Sequence, residues 1–434
     1  MKTLLTFALT FMQVAIFAQN PIIQTVFTAD PAPMVHNDTL FLYTTHDEDD
    51  ADNFKMRDWL LFTSTDMVNW NDCGVVASLK NFEWYNGDNG AWAMHTVERD
   101  GKFYMYCPIH GHGIGVLVAD SPYGPFKDPL GKPLVWQKEH WYDIDPTVFI
   151  DSDNQAYMYW GNPKLYCVKL NSDMISYSGE IMEMPHIEDY QEGPWFYKHN
   201  GLYYLAFAST CCPEGIGYAM SNNPLGKWEY KGHIMNHTDK TRGNHPGIVD
   251  YKGKSYCFGL NYDILKLKFE KDSLPFKHSE RRSVSVVEIT YNNDGTINES
   301  PYFKETVLKQ TEPFNPFRTV SASVSAWAYG MKVVKNSDNV SVLTKIDNND
   351  ELIIKGADFG KKGASKFIAT AQNITTGSAI SIFADDVFIG KALFGSDEKA
   401  VCSLKKVKGI HDIKFVFSGK NNHDLFDLIN WKLE

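Results

Sequence analysis

The chain has 434 residues, of which 43% are hydrophobic and 22% charged, a balance typical of a folded, soluble protein with two domains. The formal net charge is −11 and no basic run occurs, which argues against nucleic acid as a partner and favours a neutral or weakly charged one. The 7 cysteines are scattered, which excludes a disulfide scaffold and a CxxC-type zinc site.

The first eighteen residues have the pattern of a cleavable signal peptide. A short basic start, Met1-Lys2-Thr3, precedes an apolar run from Leu4 to Ala18. No cysteine follows Ala18 to carry a lipid, and no later segment is long and apolar enough to span a bilayer. We therefore expect an exported, monomeric protein, periplasmic or secreted, with no membrane insertion.

One short pattern returns roughly every fifty residues: a polar residue, often before proline, followed by a strand that ends in aromatic residues. The leading positions of the repeats are Asp30, Trp92, Asp145, Glu192 and His245. Roughly fifty residues suffice for a four-stranded sheet, and amphipathic helix patterning is almost absent. The repeat predicts an all-β fold, a five-bladed β-propeller over residues 19–308, in which the leading positions meet at one end of the central axis.

The character of the chain changes after the last repeat. The turn signal at residues 292–295 is expected to close the propeller ring. Residues 309–317 hold two prolines and few strand formers, which predicts a linker. From 318 to 434, short alternating strands broken by polar turns predict a β-sandwich, or jelly-roll, domain.

Acids at matching positions of successive repeats indicate a chemistry. Hydrolysis of a glycosidic bond requires one protonated carboxyl group for the leaving oxygen and one ionised carboxylate for the water or the carbon. Close carboxylates push their pKa values apart, which separates these roles. Asp30, Asp145 and Glu192 together are a stronger signal than a single Asp-Pro, which often marks a turn. Aromatic residues make up 14% of the chain and suit stacking on sugar rings.

Three motifs in fixed order carry a family resemblance. They are Thr28-Ala29-Asp30-Pro31, Ile144-Asp145-Pro146-Thr147-Val148-Phe149, and Glu192-Gly193-Pro194 before an aromatic strand. Over about residues 25 to 300 the chain resembles glycoside hydrolase family 43, of the β-xylosidase and α-L-arabinofuranosidase type. The resemblance implies a five-bladed propeller that inverts the anomeric centre. It also implies that Asp30 is the general base, Glu192 the general acid, and Asp145 a third carboxylate that orients the acid and keeps it protonated.

The resemblance extends to residues expected to bind the substrate. His245 matches an axial histidine that holds a water or a calcium ion beneath the sugar, and no other cofactor is expected. Trp92 matches an aromatic wall of the first sugar site. Many relatives have Ala-Pro-Asp after this tryptophan, where this chain has Ala93-Met94-His95. His95 is therefore a substrate-binding candidate in an altered pocket.

Two adjacent arginines follow the last repeat. Because side chains alternate along a strand, one of Arg281 and Arg282 is expected to reach the substrate, and the sequence leaves open which.

The C-terminal part resembles, more loosely, a carbohydrate-binding module of family 6. The segments concerned are Ala357–Gly360, Ile380–Phe383 and Asp424–Trp431. Such modules bind sugar on paired aromatic residues, for which Trp327 and Trp431 are the candidates. A role for either tryptophan in the sandwich core is the alternative.

These patterns lead to one prediction and two alternatives. The prediction is an exported, inverting glycoside hydrolase that releases xylosyl or arabinofuranosyl units from a plant hemicellulose such as arabinoxylan. One alternative keeps the fold and the chemistry but changes the substrate to a β-galactofuranoside or galactan. The other is a non-catalytic, glycan-binding propeller.

Overall fold

The computed structural model describes residues 20–138, 142–237, 242–303, 308–395 and 397–434. The expected signal peptide lies outside these ranges. Within them the regular structure consists of strands, one nine-residue α-helix and a short 3-10 helix, Leu79–Asn81. Among the helices of the described residues, none has the length and apolarity to cross a membrane.

The N-terminal domain consists of five antiparallel sheets. The first contains β1 (Thr28–His36), β2 (Thr39–His46), β3 (Asp58–Ser64) and β4 (Trp70–Ser78). The second contains β5 (His95–Arg99), β6 (Lys102–Pro108) and β7 (Ile114–Ala119). The third contains β8 (Thr147–Ile150), β9 (Ala156–Trp160), β10 (Tyr166–Leu170) and β11 (Tyr177–Glu183). The fourth contains β12 (Tyr190–His199), β13 (Leu202–Ser209), β14 (Ile216–Ser221) and β15 (Glu229–Met235). The fifth contains β16 (Gly247–Tyr251), β17 (Lys254–Asn261) and β18 (Ser283–Ile289), with the helix α1 (Asp263–Lys271) between the last two.

The first strands of the five sheets surround one axis. β1 contacts β5, β5 contacts β8, β8 contacts β12, β12 contacts β16, and β16 returns to β1. This closed ring confirms the five-bladed propeller. The second strands are buried on both faces because each blade is covered by its neighbours, and Leu202–Ser209 is accordingly an almost continuous apolar run.

The ring is closed by the N-terminal segment. The amide of Ile22 donates to the Val284 carbonyl, and that of Thr28 to the Arg282 carbonyl, each at 3.0 Å. The Asn20 side chain pairs with the backbone of Val286 through two bonds of 2.9 Å. Residues 20–28 thus lie along β18 and continue directly into β1. The predicted turn at 292–295 does form. The expectation that it closes the ring is wrong, because residues 20–28 pair with β18 instead.

The C-terminal domain is a sandwich of two antiparallel sheets. Its strands are β19 (Val320–Ser321), β20 (Val324–Ser325), β21 (Lys332–Lys335), β22 (Ser341–Thr344), β23 (Glu351–Asp358), β24 (Lys366–Gln372), β25 (Ala379–Ala384), β26 (Val387–Leu393), β27 (Lys399–Ser403), β28 (Ile410–Ser418) and β29 (Asp427–Leu433). One sheet has the order β21-β22-β29-β24-β27 and the other β23-β28-β25-β26. Trp431 is fully buried between them, so it belongs to the core and is not a sugar platform.

The two domains share hydrogen bonds. β20 pairs with β4 and so extends the first blade. In the segment predicted as a linker, the Gln310 side chain donates to Asp66 at 2.9 Å, and the Phe314 amide donates to the Gly356 carbonyl at 2.9 Å. The segment therefore packs against both domains.

Candidate active site

The starts of the inner strands converge on one pocket. Its lining includes all five leading positions of the repeat, Asp30, Trp92, Asp145, Glu192 and His245, together with Phe54, Met56, Ala93, Ile144, Gly243 and Arg282. Each leading residue lies in or just before the first strand of its blade, and these strand ends meet at one face of a propeller. Residues that are roughly fifty positions apart in the sequence therefore lie close together in space.

The backbone at the aspartates is unusual. Asp30 and Asp145 have φ values of +50° and +55°, in the left-handed region that few residues other than glycine adopt. Such conformations persist at functional sites where the surrounding structure holds them. Gly193 follows Glu192 at φ +58°, and a Cβ atom there would lie 2.6 Å from the His245 ring. Glycine is therefore required at position 193 for both reasons.

His245 lies between the carboxylates. Its Nδ1 is 3.4 Å from Asp30, while its Nε2 is 3.4 Å from Glu192 and 3.7 Å from Asp145. Although burial lowers the pKa of the imidazole, the charges of Asp145 and Asp30 and the hydrogen bond to Glu192 outweigh it, raising the pKa to about 10. The ring is thus a buried cation that offsets part of the negative charge of the pocket.

Asp145 has the properties of a carboxyl group that shares protons with its neighbours. Burial first, and then the charges of Glu192 and Asp30, raise its pKa to about 7, against the opposing effect of His245. The amide of Gly193 donates to its Oδ2 at 3.2 Å. Asp145 therefore lies against the start of β12, and its pKa depends on the charge of Glu192.

Asp30 is held by two side chains. Thr45 Oγ1 donates to Oδ2 at 2.9 Å, and Arg282 Nη1 donates to Oδ1 at 3.2 Å. The same guanidinium binds Asp47 through Nη2 and Nε, at 2.9 and 3.0 Å. The side chains of Arg282 and Asp47 are 2% and 1% exposed, so this pair forms a buried support that orients Asp30.

The structure resolves the choice between the two arginines. Arg281 points away from the pocket, where it binds Ser279 Oγ and the Asp49 carbonyl, both at 2.8 Å. Arg282 is the residue at the pocket, and its role is to hold Asp30 and Asp47.

Glu192 lies at the junction between the pocket and a wider cleft. Asn162 Nδ2 donates to its Oε2, and Gln191 in turn donates to Asn162 Oδ1 at 3.1 Å. The inner pocket has a volume of about 80 Å³, whereas the adjoining cleft has about 760 Å³. The cleft is lined by Phe54, Tyr142, Asn162, Pro163, Gln191, Glu192, Cys211, Glu214, Arg242 and Gly243. The sulfur atoms of Cys211 and its neighbour Cys212 lie side by side at the cleft wall.

Glu214 is a pocket neighbour that no sequence motif marks. This residue is 2% exposed, and its Oε2 accepts a hydrogen bond of 2.9 Å from the Asn244 amide. Burial and then the charge of Glu192 raise its pKa to about 7. Glu214 comes from the loop between β13 and β14, which carries no repeat motif, so only the folded arrangement places it beside Glu192.

Two other predictions concern residues near Trp92. The Trp92 ring lines the pocket and stacks on His110, with centroids 3.9 Å apart. His95, however, is not at the pocket, and the expectation that it binds substrate is wrong. It is 6% exposed, accepts a hydrogen bond of 2.7 Å from the Val148 amide, and lies against Trp195 with ring centroids 4.4 Å apart. Burial lowers its pKa to about 3, as expected for a neutral histidine between blades.

The residues around His245 could hold a cation. Asp145, Glu192 and His245 each offer one ligand atom, and these atoms lie within 4.8 Å of one another. Calcium prefers oxygen ligands, which the two carboxylates would supply. Hydrolysis by paired carboxylates needs no cofactor.

A comparison with known proteins identifies the family. The model for glycosyl hydrolases family 43 matches residues 18–297, which is more than half of the chain and covers every pocket residue named above. The chain belongs to glycosyl hydrolase family 43.

Some relatives align over nearly the whole chain and others over about two thirds of it. An arabinoxylan arabinofuranohydrolase from Bacillus subtilis is 27% identical over an alignment 483 positions long, which covers 95% of this chain and 92% of the relative. A xylosidase/arabinosidase from Bacteroides ovatus is 29% identical over 62% of this chain and 94% of its own. The crystal structure of a family 43 arabinoxylan arabinofuranohydrolase from Bacillus subtilis, solved with cellotetraose, has a TM-score of 0.82 and 25% identity and covers 96% of this chain and 97% of its own.

These findings confirm the enzyme class. This family 43 protein is a glycoside hydrolase, and both the propeller and the sandwich have counterparts in the solved arabinofuranohydrolase, since the two structures match over nearly their full lengths.

Proposed function

We propose that this family 43 enzyme removes single arabinofuranosyl or xylosyl units from arabinoxylan with inversion of the anomeric centre. The observation that carries the proposal is the convergence of Asp30, Asp145 and Glu192 around His245 in a pocket of about 80 Å³. The names of the relatives, an arabinoxylan arabinofuranohydrolase and a xylosidase/arabinosidase, support the substrate class.

The shape of the site favours removal of one sugar at a time. The small pocket is lined by apolar Phe54, Met56 and Trp92, which suit the faces of one sugar ring. The cleft that continues from Glu192 is about 760 Å³ and has room for several further sugars. A terminal or side-chain unit would occupy the pocket, and the rest of the polymer would lie in the cleft.

The chemistry assigns a role to each acid. A water molecule attacks the anomeric carbon from the Asp30 side, and Asp30 takes its proton. The bond between that carbon and the glycosidic oxygen breaks, and Glu192 donates a proton to the departing oxygen. Asp145 binds the Gly193 amide and so positions Glu192. The products are a free sugar of inverted configuration and a shortened chain, and proton exchange with solvent restores both acids.

The arrangement of the acids is compatible with inversion. Asp30 and Glu192 contact opposite nitrogens of one imidazole ring, which limits the separation of the contacting oxygens to roughly 9 Å. Inverting enzymes require about 6.5–9.5 Å, whereas retaining enzymes require about 5–5.5 Å. The upper limit of roughly 9 Å falls within the inverting range.

Export is also part of the proposal. The basic start and apolar run of residues 1–18 support it. A monomer in the periplasm or outside the cell fits an enzyme that acts on a plant polymer.

Sugar release measured on a panel of substrates tests the proposal. The panel contains aryl β-xyloside, α-arabinofuranoside and β-galactofuranoside, with arabinoxylan, arabinan and galactan, and proton NMR follows the anomer that appears first. Pentose released from arabinoxylan with inverted configuration is expected. Release of galactose alone would replace the substrate by the galactan alternative. Binding to a polymer without hydrolysis would favour the glycan-binding alternative, and a retained configuration would refute the role of Asp30 as base.

A further inference from the structure

We propose that Asp189, His233 and His237 form a binding site for a divalent transition-metal ion, zinc first, at the outer wall of the cleft. A carboxylate oxygen of Asp189 and one ring nitrogen of each histidine lie within 4.8 Å of one another. Two imidazoles and one carboxylate are a common zinc ligand set that leaves a fourth position for water. The site is distinct from the pocket, whose lining contains none of these three residues.

The three ligands come from separate segments of the fourth blade. Asp189 directly precedes β12, His233 lies in β15, and His237 follows the end of that strand. Asp189 Oδ2 and His233 Nε2 are 2.9 Å apart, and the two histidine rings have centroids 5.1 Å apart. Zinc bonds of about 2.0–2.2 Å at tetrahedral angles place neighbouring donors about 3.3–3.5 Å apart. Asp189 and His233 must therefore separate slightly to admit the ion, and His237, which is exposed, has the freedom to move towards it.

The tautomer of His237 is already the one that a metal requires. Its Nδ1 lies 3.1 Å from Asn236 Oδ1. That oxygen also accepts the His237 amide proton at 2.8 Å, which identifies it as the acceptor end of the side-chain amide. Nδ1 therefore carries the proton, and the lone pair is on Nε2, which faces Ser209 Oγ at 3.3 Å. Metal-binding histidines usually donate the other ring N–H to an oxygen in this way.

The carboxylate is supported by outer groups as well. The Thr210 amide donates to Asp189 Oδ1 at 3.1 Å, and the Tyr230 hydroxyl donates to Oδ2 at 3.3 Å. Asp189 itself has a φ of +63°, a conformation that needs support from its surroundings. Neighbours that orient a ligating carboxylate are a regular part of metal sites.

The position of the site assigns it a role. Ser209 and Thr210, which contact His237 and Asp189, open the loop that carries Cys211 and Glu214 to the cleft. Asp189 is three residues before Glu192. A bound ion would fix this loop to the start of β12 and so hold the cleft wall in place.

Zinc itself is the probe in the test. The full mature chain is loaded with zinc, dialysed against metal-free buffer, and analysed for metal content by mass spectrometry. We expect the wild type to retain one equivalent more than His237→Ala, which removes an exposed ligand with little risk to folding. His186→Ala is the matched control, because His186 is an exposed histidine three residues before Asp189, and it should retain zinc as the wild type does. Zinc bound elsewhere cancels in this difference.

Two further measurements test the role of the ion. Zinc should raise the thermal midpoint of the wild type by several degrees, and hydrogen exchange at the Thr210 and Gly215 amides should slow at least tenfold. Neither change should occur in His237→Ala or in Asp189→Asn, which keeps the shape of the side chain. Equal zinc content in the wild type and His237→Ala would overturn the site. Retained zinc without any change in exchange at these amides would overturn its role at the cleft wall.

Discussion

The buried pair of Arg282 and Asp47 allows a sharp test of how the pocket is supported. Arg282→Met removes the guanidinium but keeps the length of the side chain, and it leaves the Asp47 carboxylate, which is 1% exposed, without its cation. Removal of one partner of a buried ion pair typically costs about 3–5 kcal/mol, which lowers the thermal midpoint of a domain of this size by roughly 5–10 °C. Activity should fall by about a hundredfold or more, because Asp30 also loses its bond to Arg282 and with it a fixed orientation.

A second variant separates the loss of charge balance from the loss of packing. Burial raises the pKa of Asp47, and Arg282 opposes that rise. Without Arg282, the buried Asp47 carboxylate destabilises the folded state, and Asp47→Asn removes this destabilisation. Arg282→Met with Asp47→Asn should therefore be more stable than the sum of the single changes predicts, by about 1–3 kcal/mol. Arg281→Met is the control and should cost less than about 1 kcal/mol, since Arg281 is only half-buried and lies outside the pocket. Thermal and urea unfolding followed by tryptophan fluorescence provide the measurements. Additive effects in the double variant, or an Arg281→Met variant as unstable as Arg282→Met, would refute this view of the support.

Three other predictions concern the acids and metals. Glu192→Gln should lower kcat at least a thousandfold on arabinoxylan but much less on an aryl glycoside with a good leaving group, because only the poor leaving group needs a proton. Equal losses on both substrates would contradict the role of Glu192 as the acid. Folded-state pKa values of about 7 for Asp145 and Glu214 mean that the folded protein binds more protons than the unfolded chain between about pH 4.5 and 7, so its stability should fall as pH rises through this window. The His245 contribution, with its raised pKa of about 10, is present below about pH 6.5 and is lost as pH approaches 10, so the decline continues. Glu214→Gln should flatten the pH dependence of the free energy of unfolding between pH 5 and 7.5 by up to about 3 kcal/mol, and an unchanged slope would show that Glu214 does not titrate there. Chelation by EDTA should leave kcat on an aryl glycoside within about twofold, since hydrolysis by paired carboxylates needs no cofactor. Activity that is lost on chelation and restored by calcium would contradict this expectation and would indicate a cation held by Asp145, Glu192 and His245.

The repeat in the sequence predicts the pocket well because it marks topology as well as chemistry. Asp30, Asp145 and Glu192 each begin an inner strand, and any closed ring of blades brings such positions together. The supports of the pocket could not be found in this way. Asp47, Asn162 and Glu214 lie in loops that follow second strands, where no motif recurs, and their importance comes only from contacts across blades.

The wrong predictions have equally local causes. His95 was a pocket candidate because it stands where many relatives have the aspartate of Ala-Pro-Asp. As the first residue of β5, however, it directs its ring between blades towards Val148. Alternation along the chain predicted that Arg281 and Arg282 face opposite ways, yet it could not tell which one faces the axis. The pairing of residues 20–28 with β18 joins the two ends of the propeller, and a search for local patterns does not detect contacts between such distant positions.

That pairing has a consequence for how the domain assembles. The first part of the chain to be synthesised is the last to find its partner, since Ile22 and Thr28 bond to Val284 and Arg282, which are made some two hundred and sixty residues later. Until β18 is present, the first blade has no neighbour on one side, and its apolar inner surface is open to water. Chaperones that shield this surface, or a slow packing of blades two to four, would therefore determine the yield of native protein. A tag or altered processing site that disturbs Asn20 should therefore reduce folding yield far more than a comparable change at Glu434.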